Sequence, residues 1–414
     1  PLLWRFVLRS GVRFHNGSSL TAQDVVATIN SVLDRAVASP LRASFSAIDG
    51  VMAIGSSVVE IRLKRVDASL LTRLVIGIIP ASQAAQPQQT RRAVGCGDYR
   101  LQSWRGDRIV LTAVASRHPD IVLIRVKDPV TRALKLARGE IDLMQNDFPL
   151  YLLTWLRKQP HLQVATAPST TFSYIGINLH DPLLKQLQVR QALALALDRK
   201  RLKRALFNGA PVLASTLLPA EHWATTKLPL TPYDPERAAA LLDGAGYPAD
   251  EDGVRFYLSY RTSTDPQRVR LATAIAAEWH KIGVEVTVQS LEWGGFYARI
   301  KRGDFQLFSL SWVGIVDPDI YRWVLHSSMW PPKGANRGRY RNKKVDHWLD
   351  SASSSENREV RRELYRKVES KMLADMVYIP LWYEPVTAVF RDTLHGFAPR
   401  ADGSLLPLKD VEMR

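Results

Sequence analysis

The sequence predicts a mixed α/β protein built on more than one sheet, and three observations carry that expectation. Helical and strand periodicities alternate from one end of the chain to the other. No unit of about 20–50 residues repeats, which removes solenoids and propellers. Of 414 residues, 46% are hydrophobic, 23% charged and 9% aromatic. Those are ordinary globular values that exclude a disordered or coiled-coil chain, and the length suggests two or three domains.

The elements follow in order. Trp4, Phe6 and Leu8 alternate with Arg5, Val7 and Arg9, as in a half-buried strand. After a turn at "HNGSS", Thr21 caps a helix with Asp24 at its third position as a short-armed capping box. Val25, Val26, Ile29, Val32 and Leu33 then line one apolar face. Residues 51–64 read as a hairpin around Gly-Ser-Ser, and the polar stretch 81–92 as loop. Residues 94–113 read strand, turn, strand, and "DIVLIRVKDP" a strand ending at Asp128-Pro129. "TRALKLARGEIDLM" is a helix closed by Gly139, followed by a short strand.

A β run at 171–179 precedes two short helices, with Asp198 as the N-cap between them and Asn208-Gly209 as the stop. Asp234 caps the next helix, with Pro235 at its first position. A helix through "AAEWHKIG" leads into the strand "VEVTVQ". Near the end, Val360, Leu364, Val368 and Met372 form the stripe of a long helix that precedes "VYIPLWY".

The formal net charge is +16, but the basic residues are scattered, so we read a dispersed positive surface rather than a nucleic-acid or membrane face. The densest run, Arg199 to Arg204, has Leu202, Ala205 and Leu206 at helical spacing and reads as the solvated face of an amphipathic helix. Cys96 is the single cysteine, which rules out an internal disulfide and a Cys-based zinc site. The most apolar stretch, residues 70–81, is interrupted by Arg73 and is shorter than the roughly 20 residues that span a bilayer.

Catalytic signatures are missing from the sequence. Gly95-Cys96-Gly97 starts like a dinucleotide fingerprint, but Arg100 stands where the third glycine belongs and a strand follows, so a tight turn is expected. His15 is expected to be a turn residue with a satisfied ring. No His-Glu-x-x-His, Gly-x-Ser-x-Gly or Ser-x-x-Lys pattern is present, so a hydrolase has no support. Tryptophan is in excess, 11 in all. Trp293, Trp312 and Trp382 lie beside turns, where indoles give large contact area in a cleft.

Several segments together resemble one family. "FVLRSGVRFHNGSSLTAQDVVATINSVL", "VGCGDYRLQSW", "TRALKLARGEIDL", "VRQALALALDRKRL" and "YDPERAAALLDGAGY" are similar, in this order, to signature blocks of the extracytoplasmic solute-binding protein family 5. These are the peptide-, dipeptide- and nickel-binding components of ABC importers. Cys96 and Asp98 depart from that family's Gly-Thr-Gly-Pro-Tyr turn.

The resemblance implies a two-lobed periplasmic-binding-protein-like α/β fold of the clamshell type (class II), with mixed sheets and a hinge of two crossovers. Residues 1–175 and 386–414 would form the first lobe and 176–385 the second, with crossings near 174–178 and 384–385. The chain opens at Pro1 inside a strand, so the start of the first lobe, and any export signal or DNA-binding head, is expected upstream. The implied ligand-binding residues are Trp312, Trp293, Tyr174, Asn178 and Asp317.

Trp312 matches a pocket tryptophan of peptide binders, and Trp293 another. Ile315 stands where the family's Asp pairs with the peptide ammonium, so either Asp317 or another carboxylate takes over, or the solute carries no α-ammonium there. The implied function is capture, without catalysis, cofactor or metal, of a small peptide or peptide-like solute for an inner-membrane ABC permease. The protein would be a monomer in the periplasm, or lipid-anchored outside the cytoplasmic membrane, with no nucleic-acid partner. The alternative is a ligand-sensing domain of the same fold behind a DNA-binding head in a transcriptional regulator.

Overall fold

The computed structural model describes residues 1–85, 90–146, 148–225 and 227–414. The expected α/β mixture is present, distributed over sheets of three, three, seven and two strands.

The N-terminal three-stranded sheet orders Leu3–Val7, Val58–Leu63 and Ile48–Ile54, all antiparallel. The helix Ala22–Leu33 packs against it, and Val26, Ile29, Ile48, Val59 and Ile61 share one core. Its start is fixed as the spacing requires: the Thr21 N–H donates to the Asp24 carboxylate at 2.8 Å. A second sheet is the meander Tyr99–Arg105, Arg108–Ala113, Ile121–Ile124. A strand, not a helix, follows Gly95-Cys96-Gly97, and the His15 ring bonds the Gly97 carbonyl at 2.9 Å. Within the stretch read as loop, residues 81–84 and 90–92 form single helical turns; residues 86–89 lie outside the described residues.

The largest sheet runs Val284–Leu291, Phe256–Ser263, Leu307–Trp312, Leu162–Ile177, Tyr378–Arg391, Leu143–Gln145. Its centre is two long antiparallel strands, Leu162–Ile177 and Tyr378–Arg391, whose register breaks in the middle. Thr171 pairs with Glu384 and Ala167 with Val386, so residues 168–170 stand opposite Pro385 alone. Proline supplies no N–H to a ladder, and Pro168 and Pro385 both lie in this gap. Tyr378, Ile379 and Tyr383 are paired on one side of the break, with a further register shift between Pro380 and Trp382, and Thr387, Val389 and Phe390 on the other. Each side has its own cores.

The helix Arg358–Ala374 corrects one expectation. Its buried residues are Arg361, Tyr365, Val368, Glu369 and Met372, whereas Val360 is 46% exposed. Polar partners turn the helix: Glu369 accepts from the Tyr321 hydroxyl at 2.7 Å, and Arg361 donates to the Ser69 hydroxyl at 2.9 Å. Arg199 corrects another. Instead of facing solvent it is buried, and its guanidinium donates to the Ala214, Thr231 and Pro380 carbonyls at 2.8–2.9 Å. Burial pushes its pKa down to about 10.

Candidate functional site

Trp312 ends the strand Leu307–Trp312, paired with Phe172, while Leu310 pairs with Tyr174 two residues away on the same face. The Tyr174 and Trp312 rings are therefore neighbours, 6.4 Å apart and nearly parallel at 6°. Tyr174 is fully buried and Trp312 half-buried, so the tyrosine backs the indole. Trp293 begins the helix Trp293–Arg302 and is 54% exposed. One helical turn on, Tyr297 stacks with it at 5.6 Å and 9°, as residues four apart on a helix do.

Arg337 joins the two aromatic pairs. Its guanidinium carbon lies 4.7 Å from the Trp312 ring centre and 5.6 Å from that of Tyr297. Its N–H groups donate to the Tyr174 hydroxyl at 3.0 Å and to the Tyr297 hydroxyl at 3.3 Å. Trp293, Tyr297, Arg337, Trp312 and Tyr174 thus form one row, and both expected pocket tryptophans belong to it.

Arg337 is only 7% exposed, and among the described residues no carboxylate pairs with it. A buried charge without a counter-ion costs several kcal/mol; each cation–π contact returns about 0.5–2 kcal/mol. Tyr174 shows the other side of this arrangement: burial raises its hydroxyl pKa, and the adjacent Arg337 cation limits the rise. Gly338 holds the arginine in place, because a Cβ there would sit 2.5 Å from the Ile177 carbonyl oxygen. Only glycine lets the backbone approach the strand end so closely.

The other expected residues are placed differently. Asp317 accepts from Ser69 at 2.7 Å and Thr72 at 3.3 Å, and lies 3.8 Å from the Arg361 guanidinium. Its carboxylate is already bound to the segment 67–73. Asn178 donates its amide to the Phe305 carbonyl at 2.9 Å and accepts from the His180 N–H at 3.1 Å, which is the bonding of a structural turn. Ile315 is 5% exposed. Trp382 is fully buried and meets Phe207 edge-on at 5.2 Å; it is core. The sequence reading missed Arg337 and Tyr297, although arginines at 337, 339 and 341 beside "WPPK" were a visible basic cluster.

Among the described residues, no three His, Cys, Asp or Glu side chains gather as a metal would require, and no helix is long and apolar enough to cross a membrane. The site offers stacking surface, a fixed cation and hydrogen-bond donors, which are the means of binding rather than of bond-breaking.

The family described as bacterial extracellular solute-binding proteins, family 5 Middle, matches residues 1–330. Heme-binding protein A of Haemophilus influenzae is 28% identical, covering 96% of this chain and 79% of its own length. Probable di/tripeptide-binding protein 5 of Pseudomonas aeruginosa is 26% identical, covering 96% and 81%. Among solved structures, NikZ from Campylobacter jejuni in complex with Ni(L-His) superposes with a TM-score of 0.87 at 25% identity, covering 98% of this chain and 86% of that one.

Proposed function

Because the chain belongs to the bacterial extracellular solute-binding proteins of family 5, a family of binding proteins and not of enzymes, we propose that it captures a peptide-like solute between two lobes. In this reading residues 1–167 and 386–414 form one lobe and 171–384 the other, a boundary earlier than 175 because Phe172 and Tyr174 share a core with Tyr321 and Tyr365. The gap in the ladder opposite Pro385 supports a hinge on the long strands, since backbone without ladder bonds there resists rotation least. The closed protein acts as a monomer outside the cytoplasmic membrane and passes its cargo to an ABC permease.

One observation carries the reading: the row of Trp293, Tyr297, Arg337 and Trp312 is half-open, rigid and aromatic. Rings with few rotatable bonds grip an extended solute at low entropic cost. The peptide-like class is supported by the di/tripeptide-binding relative.

The test is mass spectrometry of whatever solute the denatured protein releases, beside a thermal-shift screen with di- and tripeptides. A ligand at 100 times its dissociation constant stabilises the fold by about 2.7 kcal/mol, a readable shift. Stabilisation by an opine, sugar or metal chelate but by no peptide would reject the peptide class and keep capture.

A further inference from the structure

We infer that the end of the binding site bounded by Arg337 takes an oxyanion of the solute, a carboxylate or a phosphate. The inference rests on reading the indole row as the solute site.

Three independent features lead there. First, Arg337 is a buried cation held rigidly by the Trp312 and Tyr297 rings and by two tyrosine hydroxyls, with no carboxylate paired to it among the described residues. Those two bonds engage two of the five N–H groups of a guanidinium. Three donors remain, and the planar guanidinium suits the oxygens of a carboxylate or phosphate.

Second, Arg337 opens on a cavity of about 640 Å³, the size of a small-molecule site. Lys301, Arg302 and Arg339 line the same cavity, with Trp330 and Pro331 as apolar wall, and no acidic residue lines it. Among the described residues, none of the four cations has an ion-pair partner. Lys301 rests over Tyr297 at 5.3 Å and Arg339 over Trp330 at 5.9 Å. The nearest acid in sequence, Asp304, is already paired with Arg261 and Arg299 at 2.8 and 2.7 Å. Like charges gathered around one apolar-walled hollow raise its potential and draw an anion into it.

Third, the loop after Trp312 brings no compensating charge. Ile315 is buried and apolar, and Asp317 is turned to Ser69, Thr72 and Arg361. An ammonium placed here would meet cations only. A solute whose anionic end enters first satisfies the arginine that the protein leaves without a counter-charge.

The test uses protein stripped of ligand, titrated calorimetrically with matched pairs of probes. N-acetyl-dialanine is set against its C-terminal amide, and glycerol 3-phosphate against glycerol. The anionic member of at least one pair is expected to bind about tenfold or more tightly than its neutral partner, a difference worth about 1.4 kcal/mol. Which pair discriminates separates carboxylate from phosphate. Arg337→Gln should remove the discrimination between the members of a pair, and Arg337→Lys should keep part of it.

Lys301→Gln, at an exposed position, guards against a folding defect and should weaken only the anionic probe, by about two- to fivefold, with a flatter salt dependence. Equal binding within both pairs, an Arg337→Gln protein that still discriminates, or no anionic binding up to about 10 mM overturns the inference. If a solute is nevertheless released on denaturation and Trp312→Ala weakens its rebinding, capture at the indole row stands without the oxyanion site. If no solute is released and no probe of either charge binds, capture itself fails.

Discussion

The Ser69 hydroxyl donates to the Asp317 carboxylate at 2.7 Å, joining positions 248 residues apart. Arg361 donates to the same hydroxyl at 2.9 Å, Thr72 reaches the other Asp317 oxygen at 3.3 Å, and the Ala68 N–H bonds the Ser353 carbonyl at 2.9 Å. The segment 67–73 is thereby fastened to residues of the proposed second lobe. Because these bonds form only when the two parts meet, they favour the closed state and slow solute release. Ser69→Ala is expected to raise the dissociation rate about five- to tenfold, the effect of removing about 1 kcal/mol of hydrogen bonding. The association rate should hardly change. Stopped-flow tryptophan fluorescence reads both, and an unaltered dissociation rate would reduce the contact to scaffolding.

Glu384 gives a pH-dependent prediction at the break in the long strands. Its carboxylate accepts from Arg268 at 2.8 and 3.3 Å, from Ser311 at 3.1 Å, and from Ser173. Burial by itself raises the Glu384 pKa, but the Arg268 charge and the hydroxyl bonds outweigh it and hold the group below its ordinary value of 4.5. A depressed folded-state pKa means that the unfolded chain takes up the proton first as pH falls. The stabilisation is therefore complete above the ordinary value and is lost on acidification through the folded one. Asp319, raised by burial despite Arg73, works in the opposite sense. Glu384→Gln is expected to cost about 2–4 kcal/mol at neutral pH and to flatten the acid-side fall in urea midpoint. An equally steep fall in the variant would assign the loss to other carboxylates.

The aromatic row predicts unequal effects for its two tryptophans. Trp312 is in contact with both Tyr174 and Arg337, whereas Trp293 touches Phe296 and Tyr297 and is 54% exposed. Central, rigidly held aromatic residues dominate binding energy, so Trp312→Ala should weaken solute binding by about 2 kcal/mol or more, roughly thirtyfold. Trp293→Ala should cost less than half of that free energy. An unchanged affinity with a lowered melting temperature in Trp312→Ala would make the ring a core residue.

These contrasts show where the chain was legible. Caps are local, so Thr21 with Asp24, Asp198, Asp234 with Pro235, and Gly139 all stand where the spacing put them. Strand alternation located Leu3–Val7 and the hairpin Ile48–Leu63 for the same reason. Only residues 171–177 of the long strand Leu162–Ile177 were visible, because Pro168 interrupts the strand pattern before them. Its partner across the gap, Pro385, is more than two hundred residues away. On the helix Arg358–Ala374 the stripe of Leu364, Val368 and Met372 packs on the core as expected and Val360 does not, while buried Arg361 and Glu369 carry no apolar signal. Arg337 escaped notice because its burial depends on Tyr297 and Tyr174 from two other elements, contacts that no local pattern records.

The row is also supported from behind. Gly176 lies under Phe308, and a Cβ added there would come within 2.2 Å of the phenyl ring. Phe308 has nowhere to retreat: it is fully buried and meets Phe305 and Tyr174 edge-on at 4.7 and 6.0 Å. Gly176→Ala should therefore destabilise the protein by about 1–3 kcal/mol through overpacking. The displaced ring would push on Tyr174, the residue that backs Trp312, so solute affinity should fall together with stability. Trimming the obstructing ring tests this route, because two residues in contact should show coupling that distant ones lack. The double variant Gly176→Ala/Phe308→Leu is expected to recover at least half of the affinity lost in Gly176→Ala, measured by the same titration. If affinity stays low while stability returns, the wall behind Trp312 is held by something other than this glycine–phenylalanine contact.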